Sequence, residues 1–455
     1  MPMNAWCLRP YALGMLARLA VLIGSLGMTV SNIGRITTLN PMTVPALRPA
    51  VKPVQMSAPA QAPAPTLEGV RRSETEDRLA VVYSRPQPAR NIQGLDAQLQ
   101  GLNERAAEVT LKIKTRTGEN LELRVNTGNS DAGQSSGLLA DLKRQELLGS
   151  GEGKALAQLT EGVEKALAAL MRSGGPELDL AGLLGYDRSQ FASLSLDVKM
   201  PVGEDGALRS FSLHLGAQEN RLALATEHGQ FQLRVDANSP LAEGDPAQRQ
   251  QAIANHLSAI EAAGVRGQAD ERIVDLFKSG FSQMHGLLAE AAENRGSLSS
   301  PLRLLPALAQ RTQALVSGLA DFDASFSSKS QRLNRDGVVT SKSQTDFRLS
   351  QKTELDMRRN GDMRVQQVLD TQLTATIMQA RNGGMLIPED GNYDLMRIDD
   401  REKQRTVIEA VAGDLVRAVR ESDRQQYTHR EILKQHRVVD QNTTPDNTFA
   451  REPLI

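Results

Sequence analysis

The sequence has one cysteine, few aromatic residues and no excess of either charge. The single thiol, Cys7, cannot form an internal disulfide or a zinc site built from cysteines. Aromatic residues make up 3% of the chain, so stacking platforms for bases and rigid aromatic anchors are scarce. Lys plus Arg number 53 and Asp plus Glu 54, which leaves no basic field to attract phosphate backbones. Nucleic acid is therefore not expected as a partner.

Motifs for nucleotide, dinucleotide or calcium binding are incomplete. Gly149 to Lys154 is glycine-rich like a phosphate loop, but its glycine spacing is one residue short and Ala155 replaces the magnesium-binding hydroxyl, so we interpret it as a linker between helices. No Gly-x-Gly-x-x-Gly turn joins a strand to a helix. Asp390, Asn392 and Asp394 alternate like a calcium loop, yet the required glycine and glutamate are missing, which predicts a surface turn.

The histidines do not form a recognisable catalytic or metal-binding pattern. None has another at the helical spacing of three or four that places two ligands on one face. No Gly-x-Ser-x-Gly elbow occurs, and Cys7 lies in a segment whose presence in the mature protein is itself in question. We therefore predict no catalytic residue, metal ligand or cofactor from the sequence. The six histidines are His214, His228, His256, His285, His429 and His436.

Residues 1–95 are expected to be a mostly disordered lead. The apolar run Ala12 to Val30 contains Arg18, which argues against a transmembrane span. Leu19 to Val30 suits the apolar region of a secretory signal or anchor, but a true start at Met28 and a structured helix are the alternatives. The protein is therefore cytoplasmic or exported according to which alternative holds. A Pro/Ala-rich tether follows at 41–65.

Residues 96–240 are predicted to form an α+β domain of helices on an antiparallel sheet. Apolar residues alternate with charged ones around Ile113 and Leu123, and a loop at Thr117 to Glu119 would place these two opposite each other. A two-residue loop at His228 and Gly229 would likewise pair Leu224 with Leu233. Helical spacing predicts helices at Leu138 to Leu148, Lys154 to Met171 and Pro176 to Leu184.

Residues 245–440 are predicted to combine helices with a second sheet. One helix opens at Asp245-Pro246, a second covers about 273–288, and a third runs from near Pro301 to Leu319. The terminal segment 401–439 has helical spacing and is predicted to be a helix, with a polar tail at 440–455.

A meander of three long strands is predicted within 322–377. Its strands are 322–334, 338–358 and 362–377, with Met357 facing Met363, Leu355 facing Val365 and Phe347 facing Leu373. The stretch from Val365 onward also fits a helix face, so that alternative stays open. Its apolar face is interrupted by polar residues, which predicts either a face covered by neighbouring helices or a surface for a protein partner or for self-association. These residues are Ser341, Ser343, Thr345, Gln351, Thr353 and Gln367.

The predicted fold class is therefore α+β: an antiparallel sheet with packed helices in the N-terminal half, then helical segments with a long-stranded antiparallel meander, behind a disordered lead. The tethered N-terminus, the scarcity of cysteine and aromatic residues, and the long polar strands favour a non-enzymatic interaction or structural protein, exported or envelope-associated. The alternative is a hydrolase-like enzyme whose site is assembled across the fold from scattered acids and histidines.

Overall fold

A computed structural model describes residues 108–126, 150–172, 175–200, 208–239, 245–293, 305–358 and 360–455. The described residues all belong to the unit Tyr83–Ile455, and the predictions for 1–95 and 138–148 lie outside them. The helices are α1 Ser150–Leu170, α2 Ala181–Leu184, α3 Pro246–Gly267, α4 Glu271–Glu293 and α5 Pro306–Gln313. The strands are β1 Glu108–Thr115, β2 Asn120–Asn126, β3 Phe191–Lys199, β4 Leu208–Leu215, β5 Glu219–Thr226, β6 Gly229–Asp236, β7 Phe322–Leu333, β8 Val339–Met357, β9 Met363–Ala380, β10 Tyr393–Val411, β11 Asp414–Lys434 and β12 Arg437–Pro453.

The described strands form one antiparallel sheet rather than two. Its order is β12-β11-β10-β9-β8-β7-β6-β5-β4-β3-β1-β2, and β6 pairs with β7 from Gly229 opposite Ser328 to Val235 opposite Phe322. The predicted α+β fold class with separate sheets in its two halves is therefore wrong, and the protein is mostly antiparallel sheet. The main hydrophobic core runs along it from Val109 to Ile398, and a second, smaller cluster packs Leu308 of α5 on Val365, Ile408 and Ala418.

Helices cover one face of this sheet, which we call the front face. Helix α4 packs on β6 and β7, and α3 packs on α4 and on β8 and β9. Phe277 of α4 meets Phe231, Phe326 and Phe347, which project from three adjacent strands, with ring centroids 5.7, 5.4 and 6.5 Å away. None of the described helices is both long enough and apolar enough to cross a membrane.

The pairing of the long-stranded meander is confirmed. Strand β8 pairs with β9 so that Met357 faces Met363 and Phe347 faces Leu373, as the alternating pattern predicts. The helical alternative from Val365 onward is wrong, because β9 continues as a strand to Ala380. Alternate residues of β9 are buried, and the side chains between them face the uncovered back of the sheet, where polar groups meet water.

The predicted C-terminal helix 401–439 is wrong, and so is the polar tail 440–455. These residues form most of β10, all of β11 and all of β12. The strands turn at Ala412-Gly413, with φ of 53° and 90°, and at Gln435-His436, with φ of 48° and 63°. Paired positive φ values are typical of tight hairpins. Neither turn carries the Asn-Gly or Asp-Gly signal, so spacing alone favoured a helix.

Two predicted hairpin registers are wrong by two residues. Leu123 lies opposite Leu111 instead of Ile113, and Leu224 lies opposite Phe231 instead of Leu233. A shift of two keeps every side chain on its face, so the hydrophobic pattern cannot detect it. Gly229 belongs to β6 rather than to the loop. A Cβ at this position would lie 2.3 Å from the Ser327 carbonyl oxygen of β7, so the close approach of β7 requires glycine here.

The predicted helices of the described segments are partly confirmed. Asp245 caps α3 by accepting a hydrogen bond from the Ala247 amide, with Pro246 at the first helical position. The third helix is shorter than predicted: α5 begins at Pro306 and ends at Gln313. In the segment Pro176 to Leu184, only α2 is helical.

Polar side chains on the inner face of the meander bind the backbone of the covering segments. Thr345 Oγ1 donates to the Gly267 carbonyl at 2.5 Å, and Ser343 Oγ donates to the Gln268 carbonyl at 2.6 Å. The last carbonyls of a helix have no partner within it, so these bonds cap α3. This part of the face is therefore covered by the chain itself rather than free for a partner.

Gly267 allows α3 to approach β8 closely enough for this capping. A Cβ on Gly267 would lie 2.4 Å from Thr345 Cγ2. We expect Gly267→Ala to lower the free energy of unfolding by about 1–3 kcal/mol, because the helix end must lift from the sheet. The matched control is Gly286→Ala in α4, which meets no atom within 4 Å and should gain roughly 0.5–1 kcal/mol from helix propensity. Urea denaturation of both variants checks the difference, and equal shifts would contradict it.

The terminal edge strand β12 is exposed along its whole length. The Leu454 amide donates to the Ala418 carbonyl at 2.9 Å, so the alternation of an antiparallel ladder turns even-numbered residues of β12 toward β11 and odd-numbered ones toward the free edge. Pro445 and Pro453 are both odd. Proline has no backbone N–H, so two hydrogen-bond donors are absent from the free edge. Their absence hinders a further strand from pairing there.

Restoring these backbone donors should allow the free edge of β12 to pair with a strand of another molecule. We expect Pro445→Thr with Pro453→Thr to increase concentration-dependent association relative to wild type, measured by sedimentation velocity. Asn442→Thr with Asn447→Thr is the control, because it raises strand propensity without adding a backbone donor. An unchanged sedimentation profile for the proline variant would show that the prolines do not guard the edge.

Candidate functional site: a groove beside helix α3

A groove of about 570 Å³ lies on the front face between α3 and strands β8 to β11. We call it the α3 groove. It exists because the sheet continues past the helix layer, so that α3 has no helical neighbour along this flank among the described residues. The helix wall of the groove includes Gln251, Asn255, Ala259, Ala262 and Arg266. The floor includes Leu349, Leu369 and Leu373. The far side includes Gln404, Thr406, Arg420, Arg424 and Gln426.

Short side chains on α3 leave the space that forms the groove. Ala252, Ala259 and Ala262 recur at helical spacing along one flank, where longer residues would fill the gap against the floor. Leu369 of the floor is only partly buried, although its neighbours Leu349 and Leu373 are buried. The groove therefore combines an incompletely covered apolar floor with a polar far side.

An ion pair closes one end of the groove. The guanidinium of Arg266 binds both carboxylate oxygens of Asp400, and its Nη2 donates to Thr428 Oγ1 at 3.1 Å. The hydrogen bond to Asp400 raises the pKa of Arg266 above its ordinary value. Because the pair is bidentate and partly buried, it fixes the last turn of α3 over β10 and β11.

The other end is closed by the segment that follows α5. Gln248 Nε2 donates to the carbonyls of Gln313, at 2.7 Å, and Val316. The sheet binds the same segment from below: the Ser317 amide donates to Gln367 Oε1 at 2.9 Å, and Gln351 Nε2 donates to the Leu319 carbonyl at 3.1 Å. The two ends are thus held by side chains from α3, β8, β9, β10 and β11.

Two of the predicted histidines meet beneath α3. His256 and His285 are buried, and their rings contact Phe281 and Phe322. The Nε2 atoms of both have no hydrogen-bond partner. Burial lowers the pKa of His256 to about 4 and that of His285 to about 3, with the neighbouring His256 adding to the effect on His285. Both rings are therefore neutral near pH 7.

The other histidines lie on turns or on the back face of the sheet. His228 and His436 occupy hairpin turns. His429 lies on an uncovered strand, with Nδ1 2.7 Å from Thr443 Oγ1 and Nε2 3.1 Å from Glu431 Oε1. Ser195 Oγ lies 2.7 Å from His214 Nδ1 across β3 and β4, but the described residues place no carboxylate on the other nitrogen of His214. Because His214 and His429 lie on the open back face of the sheet, we interpret these contacts as surface hydrogen bonds rather than as an assembled catalytic triad.

The motif candidates have structural roles in the described residues. Ser150 to Lys154 form the start of α1 rather than the predicted linker. Asp390 ends a short 3-10 turn, as a surface turn requires, and Asp394 forms ion pairs with Arg381 and Arg430. Asn392 Oδ1 accepts from the Gln435 amide at 3.1 Å. Within the described ranges, no three His, Cys, Asp or Glu side chains come together in a way that could hold a metal ion.

Sequence reasoning missed the residues that define the groove. Arg266 and Asp400 are 134 positions apart, and no local pattern connects them. Asp400 stands just before the predicted helix 401–439. The signal that β10 carries is the alternation that places Ile398, Asp400, Thr406 and Ile408 on one face.

The buried histidines predict a stability that falls in acid. Their pKa values of about 4 and about 3 lie below 6.5, so the unfolded chain binds protons below pH 6.5 that the folded protein does not. The free energy of unfolding should therefore fall by about 1.2 kcal/mol for each histidine between pH 6 and pH 5.

Urea denaturation across this range, with His256→Phe and His285→Phe, checks the prediction. Each substitution should remove one proton from the slope, and the comparison at pH 7.5, where both imidazoles are neutral, controls for changes in packing. NMR titration of the imidazoles gives the direct measurement. Midpoints near 6.5 in the folded protein would contradict the prediction.

Comparisons with known proteins leave the groove to be interpreted from its own residues. No protein-family model matches the chain, and no curated protein or solved structure matches it either.

Proposed function

We propose that the protein is a non-enzymatic binding protein that holds a segment of a partner protein in the α3 groove. The observation that carries the proposal is the open floor of the groove. Leu369 remains partly exposed between buried neighbours, at a place that the described helices do not cover. Partly exposed apolar surface bordered by polar groups is typical of interaction sites.

The rim of the groove suits a polypeptide ligand. Amide side chains approach from both walls, Gln251 and Asn255 from α3 and Gln404 and Gln426 from the sheet. Gln251 Nε2 donates to Asn255 Oδ1 at 2.9 Å, and Gln426 Nε2 donates to Asp400 at 3.4 Å. The remaining amide donors and acceptors match the alternating groups of a peptide backbone. The floor belongs largely to β8 and β9, so the proposal retains the predicted 322–377 sheet as the source of the surface while placing the contact beside α3.

The hydrolase alternative has less support in the described residues. The nearest approaches to a nucleophile and base are Ser195 with His214 and Thr443 with His429, whose second nitrogen meets Glu431. Both lie on the uncovered back face, away from the groove. We therefore rank binding above hydrolysis.

Site-specific photo-crosslinking tests the proposal. A crosslinking residue at Ala262, in the groove wall, should capture a discrete partner polypeptide in native cells. One at Ala254, which is exposed and lies roughly 140° around α3 from Ala259, should not. Ala259→Trp fills the groove and should lower the yield at position 262 by about tenfold, equivalent to about 1.4 kcal/mol. Ala254→Trp is the matched control, and urea denaturation confirms that both variants fold.

Two results would reject the proposal. One is equal crosslinking from positions 254 and 262. The other is a yield at position 262 that Ala259→Trp leaves unchanged.

A further inference from the structure

The spacing of the helix layer indicates what the α3 groove accommodates. Helix α4 lies on β6 and β7, and α3 lies on β8 and β9. Packed helices are about 8–10 Å apart and strands about 4.8 Å apart, so each helix covers two strands. The next position in the layer lies over β10 and β11. Helix α5 covers one end of it, where Leu308 packs with Ile408 and Ala418, and the groove occupies the rest.

The long axis of the groove follows the strands. Helix α3 begins near the segment above Gln351 and ends on Thr345, so it runs along β8. The ends of the open region on β10 are marked by Thr406 and Asp400. Six residue steps of a strand span about 20 Å, which is the length of a helix of about 13 residues.

The helix wall of the groove suits close helix packing. Ala252, Ala259 and Ala262 present short side chains along the open flank of α3, and small residues let two helices approach. The apolar floor is narrow, with Leu369 as its partly exposed member. A ligand with one narrow apolar stripe therefore fits better than one that is apolar on all sides.

The charged side chains on the far side of the α3 groove indicate which charge the facing side of a ligand carries. Arg420 has one ion pair, to Glu452 at 3.8 Å, and its buried Nε has no partner. Arg424 is exposed nearby on the same face of β11. Glu402 lies in register with Arg424 and offsets part of its charge, which makes Arg420 the main anchor. Asp400 is already bound by Arg266, so the available charge is positive.

We propose that the α3 groove binds an amphipathic helix of a partner protein, about three to four turns long, with small or apolar residues toward Ala259 and Leu369 and carboxylates toward Arg420. This helix takes the place next to α3 that the described helices leave open. The inference rests on the proposed function and adds the conformation and charge of the bound segment.

The test uses a displayed library of random 15-residue peptides selected on the full-length protein. Selected sequences should carry apolar residues at helical spacing with Asp or Glu on one flank, and their circular dichroism should show helix on binding. Arg420→Glu should weaken binding about tenfold or more, corresponding to about 1.4 kcal/mol. Replacing the peptide carboxylates with Lys should restore it.

Lys403→Glu is the matched control, since it makes the same change of charge on the back face of β10 and should leave the affinity within about twofold. Peptides without helical spacing that Ala259→Trp still blocks would overturn the helix inference while supporting the groove as a binding site. Peptides that are indifferent to Ala259→Trp, or a selection without binders, would overturn both.

Discussion

The architecture depends on how the sheet satisfies the backbone of the elements that cover it. Buried carbonyls at a helix end and in a loop cost free energy unless they are hydrogen-bonded. Here the bonds come from polar side chains of β8 and β9: Thr345 and Ser343 bind the end of α3, and Gln351 and Gln367 bind the segment after α5. These contacts position α3 over two strands and hold both covering segments. The groove follows, because α3 is fixed there while the sheet continues beyond it.

This arrangement explains why the same residues were difficult to interpret from sequence. Polar residues in the middle of an apolar face suggest either a wet surface or a dry one with internal partners, and the pattern is identical in both cases. The partners are backbone carbonyls far away in sequence, which no local pattern reveals. The simpler interpretation, a face covered by neighbouring helices, is the one that the hydrogen bonds support.

Local patterns predicted the strands and helices better than the pairing between segments. The Asn360-Gly361 turn specified the β8–β9 register, because its position left a single fit for Phe347 and Leu373. Gly229 allows the adjacent strand β7 to approach closely and is not part of the turn. Treating it as a turn residue therefore shifted the predicted β5–β6 register. Ala412 and Gln435 adopt left-handed backbone without the usual residues, and β10 to β12 were missed as a result. The groove could not be predicted, since it depends on which strands the helices leave uncovered.

The order of the strands has a consequence for how the protein folds. Apart from the position of β2 outside β1, each strand lies next to its neighbours in the chain. Large all-β proteins usually fold slowly, because distant segments must meet before any contact is made. Here each new hairpin can add to an edge that is already present, so the sheet can grow strand by strand. From β3 to β12 this growth follows the direction in which a ribosome releases the chain.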